Sequence, residues 1–257
     1  MLGGQEVQLI AVPGLPMIAA GDDLGQIALD GLERMQITLR DGDVLVFAQK
    51  IVSKAEDRAI YLAKVAPSDE AKRIAADVRK DPRLVELVLS QSNRIVRQAP
   101  DVLIVEHKLG FVMANAGIDM SNVESGEFGA RALLLPENPD RSAEALCSSI
   151  RKATGAAVAV VINDSFGRPW RQGVTGVALG AFGIPSLRDR RGKTDLYGRR
   201  LEVTVVAFAD EIAAAASLVM GQGAEGLPLI LVRGLSWDDA DTPASSICRP
   251  ASQDLFR

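Results

Sequence analysis

The stretch Arg94–Ala114, RIVRQAPDVLIVEHKLGFVMA, decides the fold class. It holds three strand-forming runs, Arg94–Val96, Val102–Val105 and Phe111–Ala114, with no helical segment between them. Strands that follow one another without intervening helices fit a doubly wound parallel sheet poorly. They point to an α+β chain with mixed or antiparallel sheets. Working outward, Val44–Ala48, Ala156–Ile162, Val203–Phe208 and Leu229–Val232 are further apolar runs that read as strands. Helices are expected where a side chain can satisfy the free N–H groups of a first turn: after Ser68, which precedes Asp69 and Glu70; after Asp81, which precedes Pro82; and from Asp140 to about Gly155. Asp210–Met220 reads as a fourth helix, with two acids at its start and Gly221 available as a left-handed C-cap. The polar tail Ser236–Arg257 is expected to be mobile. With no repeat or linker in view, residues 1–257 are expected to form one domain with room for two lobes.

A chain of 257 residues that is 47% hydrophobic and 24% charged can bury a large core. Its net charge of −4 removes the broad basic footprint of a nucleic-acid binder, so an anionic ligand must find a local basic patch. The N-terminus Met1–Val12 has no basic segment ahead of its apolar residues. The longest apolar stretches, Ala156–Ile162 and Ile212–Met220, fall short of the roughly 20 residues that span a bilayer. A soluble cytoplasmic protein without membrane partners is the expectation. Two distant cysteines, Cys147 and Cys248, argue against a zinc site or a disulfide scaffold. The single histidine, His107, reads as flanking a strand, which makes histidine-triad chemistry a poor fit.

Two glycine signatures fail on context. Gly221, Gly223 and Gly226 spell GxGxxG, but a helix precedes them where a dinucleotide fingerprint needs a strand. Gly192-Lys193-Thr194 resembles the end of a phosphate loop, yet Leu187 stands where its first glycine belongs. More informative is Asn163–Arg171, NDSFGRPWR, directly after the run Ala156–Ile162. There a carboxylate and a hydroxyl leave a strand end together, offering hard oxygen ligands to a divalent cation, while two arginines can meet phosphate or carboxylate oxygens. The competing structural reading is a turn in which Asp164 caps its own backbone. Asn115–Asn122, NAGIDMSN, follows Phe111–Ala114 in the same way and carries Asp119. A metal site assembled from separate strand ends is the joint reading. A basic stretch from Arg188 to Arg200, six cations against two anions, is either a solvated face or a phosphate-holding patch.

Taken in order, GLPMI (14–18), FAQKIVSKAE (47–56), NAGIDMSN, NDSFGRPWR, the spaced residues of 190–199 and ADEIAAAASLVMG (209–221) resemble the coenzyme F-420:L-glutamate ligase family over nearly the whole chain. The nitroreductase-like domain fused to some bacterial members is not expected here. The resemblance implies a GTP-dependent ligation in which a carboxylate of coenzyme F-420-0 is activated as an acyl phosphate and captured by L-glutamate, later additions being γ-linked. It implies that Asp119 and Asp164 are catalytic and that Asp119, Asp164, Ser165 and Gln222 hold divalent Mn2+ or Mg2+, with a monovalent cation such as K+ also compatible. Nucleotide contacts are implied at Leu15, Pro16, Met17, Ile18, Gln49, Lys54, Asn122, Met220, Gly221, Gln222, Gly223, Ala224, Glu225, Gly226 and Leu227. An intertwined homodimer is implied as well.

Two positions depart from the pattern: Gln222 replaces a metal-binding Glu found in the family, and Gln49 stands where Ser is common. Phosphoryl transfer needs charge stabilisation more than a protein nucleophile, which suits a chain without a histidine or cysteine constellation. Ligation of a different carboxylate, or nucleotide binding without catalysis, remain the alternatives.

Overall fold

The computed structural model describes residues 5–123 and 129–255. In chain order the elements are β1 (Gln8–Ala11), α1 (Leu24–Arg34), β2 (Val44–Ala48), α2 (Gln49–Ala55), β3 (Ala59–Tyr61), α3 (Asp69–Val78), α4 (Pro82–Ser90), β4 (Ser92–Ala99) and β5 (Val102–His107). There follow β6 (Val112–Ala114), β7 (Arg131–Leu133), α5 (Pro139–Thr154), β8 (Ala159–Arg168), β9 (Arg171–Phe182), β10 (Arg188–Asp189), β11 (Val205–Val206), α6 (Phe208–Met220) and β12 (Leu229–Arg233). The α+β expectation holds.

The centre is a five-stranded mixed sheet in the order β1-β12-β2-β8-β9, in which only β2 and β8 run parallel. Its middle strands read as unbroken apolar runs because helices cover both faces. Leu45, Phe47, Val160 and Ile162 pack with α1 and α5, whereas Val44, Val46, Ala159 and Val161 pack with α6. Each of these is at most 1% exposed, so truncating Phe47 to Ala should cost about 3–5 kcal/mol. A second, smaller core joins α3 and α4 to the meander β4-β5-β6. Gly176 of β9 lets α6 lie directly on the sheet, since a Cβ there would meet the Ala213 carbonyl.

Several expectations need correction. The run Val203–Phe208 is strand only at Val205–Val206, because Phe208 turns inward as the first residue of α6 and packs against Trp237. Asp140 does not open α5: Asn138 accepts from Arg141 N at 3.1 Å and Pro139 starts the helix. The Asp140 carboxylate instead receives the backbone N–H of Ala181 at 3.0 Å and of Ala244 at 2.7 Å, clamping the tail onto β9. The tail through Ile247 is therefore packed, with Ala244 fully buried; residues 256–257, like 1–4, lie outside the described part. Gly221 ends α6 at φ 76° and ψ −179°, a glycine-only region distinct from the left-handed helix. The Ser68 and Asp81 caps are found as expected. His107 closes β5, buried, its Nδ1 accepting from Leu109 N at 2.9 Å. No helix among the described residues is long and apolar enough to cross a membrane.

Candidate active site

One end of the central sheet gathers almost every residue singled out in the sequence. Ala11 pairs with Ile230, Leu229 with Phe47 and Ala48 with Asn163, while Val12 N donates to Leu229 O at 2.9 Å and Ala48 N to Pro228 O at 2.8 Å. Four chain segments therefore meet at this edge. The loop carrying Leu15, Pro16, Met17 and Ile18 leaves after β1; α2, with Gln49 and Lys54, leaves β2; β8 continues into Asp164 and Ser165; and the turn from Gly221 to Leu227 leads into β12. The carboxyl ends of adjacent parallel strands are where open sheets place ligands.

Asp164 and Ser165 do not leave a strand end, as their sequence context suggested. β8 outruns β2 and carries both residues onward as a two-stranded ribbon with β9, Asp164 opposite Val177 and Ser165 opposite Gly176. Neighbouring strand residues face opposite sides. Asp164 thus faces the Lys50 side, while Ser165 shares the α6 side with its partner Gly176, against Ala213 and Ser217. The hydroxyl and the carboxylate occupy opposite faces of one ribbon.

Asp119 is delivered by a strained turn. After β6, Asn115, Ala116 and Gly117 all adopt left-handed φ of 52°, 53° and 67°, and Asp119 then forms a bridge with Leu133. Lys50, in the first turn of α2, meets the Asp119 carboxylate at 2.7 Å and Ser121 Oγ at 2.9 Å. Burial disfavours ionisation of Asp119, but bonds from Lys50 and from the Ser121 N–H and hydroxyl outweigh it and hold the carboxyl below its ordinary range. Asp164 goes the other way. Burial pushes it up to about 6, and the nearby Asp119 charge adds to this against a bond from Ser165 N–H and the attraction of Lys50. The pair is therefore one carboxylate held ionised and one poised to gain or lose charge near neutral pH, with the Lys50 ammonium beside them.

Lys50 escaped the sequence reading. It lies inside FAQKIVSKAE, but α2 follows β2 with no capping side chain, so nothing marked its first turn as special. Asn163 was also missed: its Nδ2 donates to Ser217 Oγ at 3.0 Å, yet its buried Oδ1 has no partner among the described residues. Gln49 is buried and accepts from Ser53 Oγ at 2.8 Å. Asn122 reaches Gly223 O at 3.3 Å, tying the Asp119 loop to the glycine turn, where Glu225 accepts from Gly223 N at 2.7 Å. Gln222 is exposed. The basic stretch is a separate hairpin around β10 and β11, with Arg188 paired to Asp239 at 2.9 Å and Arg191 to Asp189.

The donor set suits a hard divalent cation. Asp119 and Asp164 supply carboxylate oxygens on one face of the ribbon, while Ser165 Oγ and the orphaned Asn163 Oδ1 lie on the other face and would serve a separate ion. Among the described residues no group of three or more His, Cys, Asp or Glu side chains could hold a metal alone, so remaining positions would fall to water or phosphate oxygens, as is usual for Mg2+.

Residues 14–234 match the family model described as F420-0:Gamma-glutamyl ligase. The chain belongs to the F420-0:gamma-glutamyl ligase family. A protein of Methanothermobacter thermautotrophicus named Coenzyme F420:L-glutamate ligase is 47% identical over 253 residues, covering 98% of this chain and 99% of its own. Proteins of the same name from Methanopyrus kandleri and Archaeoglobus fulgidus are 44% and 45% identical, the first over the full length of both chains and the second over 98% of this chain and 96% of its own. Membership in this ligase family extends over both cores, so the site at the sheet end lies within the matched region.

Proposed function

We propose that this chain joins L-glutamate to the terminal carboxylate of the lactyl phosphate tail of coenzyme F-420-0, using GTP, and then adds further glutamate through γ-linkages. The observation that carries this reading is the convergence of Asp119, Asp164 and Lys50 just past the carboxyl end of β2, where β8 runs on beside it, in a chain whose relatives bear the name of that ligation. The γ-phosphoryl group of GTP passes to a carboxylate oxygen, giving GDP and an acyl phosphate. The glutamate nitrogen then attacks the acyl carbon, the amide C–N bond forms, and the C–O bond to phosphate breaks with release of phosphate and a proton.

Bound divalent ions would offset the charge of the transferring phosphoryl group, a contribution of several kcal/mol. Asp119 and Asp164 would hold one such ion, and Ser165 with Gln222 on the α6 side could take part in a second position. Lys50, held by Asp119, lies where its ammonium can neutralise an incoming phosphate or carboxylate. The loop bearing Leu15 to Ile18, helix α2 with Lys54, Asn122 and the Gly221–Leu227 turn would together cradle the nucleotide, whereas Gln49, buried and bonded to Ser53, would support α2 from beneath and not touch it. A homodimer and a cytoplasmic setting belong to the same reading. Incubation with F-420-0, GTP, L-glutamate and Mn2+ tests it: a product heavier by one glutamyl unit, formed with GDP, supports it, and GTP hydrolysis with no glutamyl product counts against it.

A further inference from the structure

Away from the sheet end, a cavity of about 260 Å³ opens where α2 gives way to β3, lined in part by Arg58, Gln91, His107, Lys108 and Glu137. That is smaller than the roughly 300–1,000 Å³ of sites for drug-sized ligands, which restricts its occupant to something near amino-acid size. Its polar groups are arranged rather than scattered. Arg58 Nε donates to Leu135 O at 3.0 Å, which anchors the guanidinium at the cavity wall. His107 is only 4% exposed, and because its Nδ1 accepts from Leu109 N, the neutral ring must carry its proton on Nε2. Arg58 and Lys108 lie close enough to the ring to reinforce burial in keeping it neutral. Among the described residues, none of Arg58, Lys108 and Glu137 enters an ion pair.

The charges in this cavity are two cations and one carboxylate. A free acidic amino acid carries two carboxylates and one ammonium, the same set with signs reversed. We propose that the cavity binds such an amino acid, with Arg58 and Lys108 meeting its carboxylates, His107 Nε2–H donating a neutral hydrogen bond and Glu137 receiving its ammonium. A simple anion site has no use for Glu137, which would repel the ligand. A link to the candidate active site exists through the backbone: Leu134 N donates to Arg58 O at 3.1 Å, and the preceding Leu133 bridges to Asp119. The step from Leu133 to Pro136 at the cavity covers at most about 10 Å of chain. On the ligase reading, which this assignment deepens, the cavity takes up L-glutamate in its ammonium form before addition, and the nitrogen must leave Glu137 and give up its proton before it attacks the acyl carbon.

Titration calorimetry on the whole chain, free of metal and nucleotide, tests the site with L-glutamate, glutarate and inorganic phosphate as probes. L-glutamate should bind more tightly than glutarate, which lacks the ammonium, and more tightly than phosphate. Lys108→Gln, an exposed change that leaves the core intact, should weaken L-glutamate by about tenfold, the loss of one charge-assisted contact. Glu137→Gln should make L-glutamate and glutarate bind alike. No heat with L-glutamate, phosphate binding as tightly as L-glutamate, or binding indifferent to both substitutions would overturn the proposal. Since neither GTP nor the deazaflavin is present, a failed titration leaves the ligation chemistry untouched, and a failed ligation assay leaves the site standing.

Discussion

Asp164→Asn should make the metal-free protein more stable and the enzyme far less active. The wild-type carboxyl titrates at about 6, against an ordinary value of 3.8. In the folded state it therefore binds a proton more readily than in the unfolded state, so its contribution to stability falls as pH rises from about 4 to about 6 and is absent at pH 7.5. That difference corresponds to roughly 3 kcal/mol, an upper bound because Asp164 is only partly buried and solvent still reaches it. Asn keeps the shape without the charge. The melting temperature in EDTA should rise by several degrees, at roughly 2–4 °C per kcal/mol for a chain of this size. Turnover should meanwhile drop by about 10²–10³, the scale of one lost preorganised electrostatic contact. Melting and single-turnover glutamate addition measured on one preparation decide the matter. A variant that melts lower in EDTA yet turns over normally would refute the reasoning, because Asp164 would then be a structural cap and not a buried charge kept for function.

His107 titrates in the opposite sense: burial, helped by Arg58 and Lys108, brings it down to about 4 from 6.5, so the stability it allows at neutral pH is lost as pH falls through that window, by up to about 3 kcal/mol. Urea titrations at pH 7 and 4.5 in the Asp164→Asn background, which removes the opposing group, should show this slope, and His107→Gln should flatten it. Gly176→Ala should destabilise by at least about 1–3 kcal/mol, since its Cβ would press on the Ala213 carbonyl beneath α6; an unchanged melting curve would mean that α6 shifts freely. Gln222→Glu supplies an anion where Gln offers a neutral oxygen and should tighten a second Mn2+ in a metal titration, whereas an unaltered titration would show that the exposed side chain does not face the site.

The strands β2, β8 and β12 were legible because helices on both faces demand uninterrupted apolar runs, and those runs stand out in any sequence. β9 was not, because the glycines that admit α5 and α6 onto the sheet remove the β-branched signature a strand normally shows. The caps at Ser68 and Asp81 announced α3 and α4, but Gly25 and Gly31 obscured α1, where Gly31 leaves room for Val12 and Leu15. α2 spans only Gln49–Ala55 with no side-chain cap, and with it went Lys50. Asp119 and Asp164 were visible as acids next to apolar runs. That they flank one lysine on one side of a ribbon, with Ser165 on the other, depends on strand register and on the bulge between Ile162 and Asn163, which composition does not encode.

The most direct test of the site where β2 ends beside β8 combines product analysis with metal dependence in one experiment. Wild type, Asp119→Asn and Asp164→Asn are each incubated with F-420-0, GTP and L-glutamate, in EDTA and then with Mn2+ restored, and glutamylated product and GDP are counted together by mass spectrometry. The expected result is one GDP per glutamyl addition in wild type, abolished by EDTA, restored by Mn2+, and restored only weakly in either folded variant. Full product formation in excess EDTA, or wild-type yields from both variants, would contradict it.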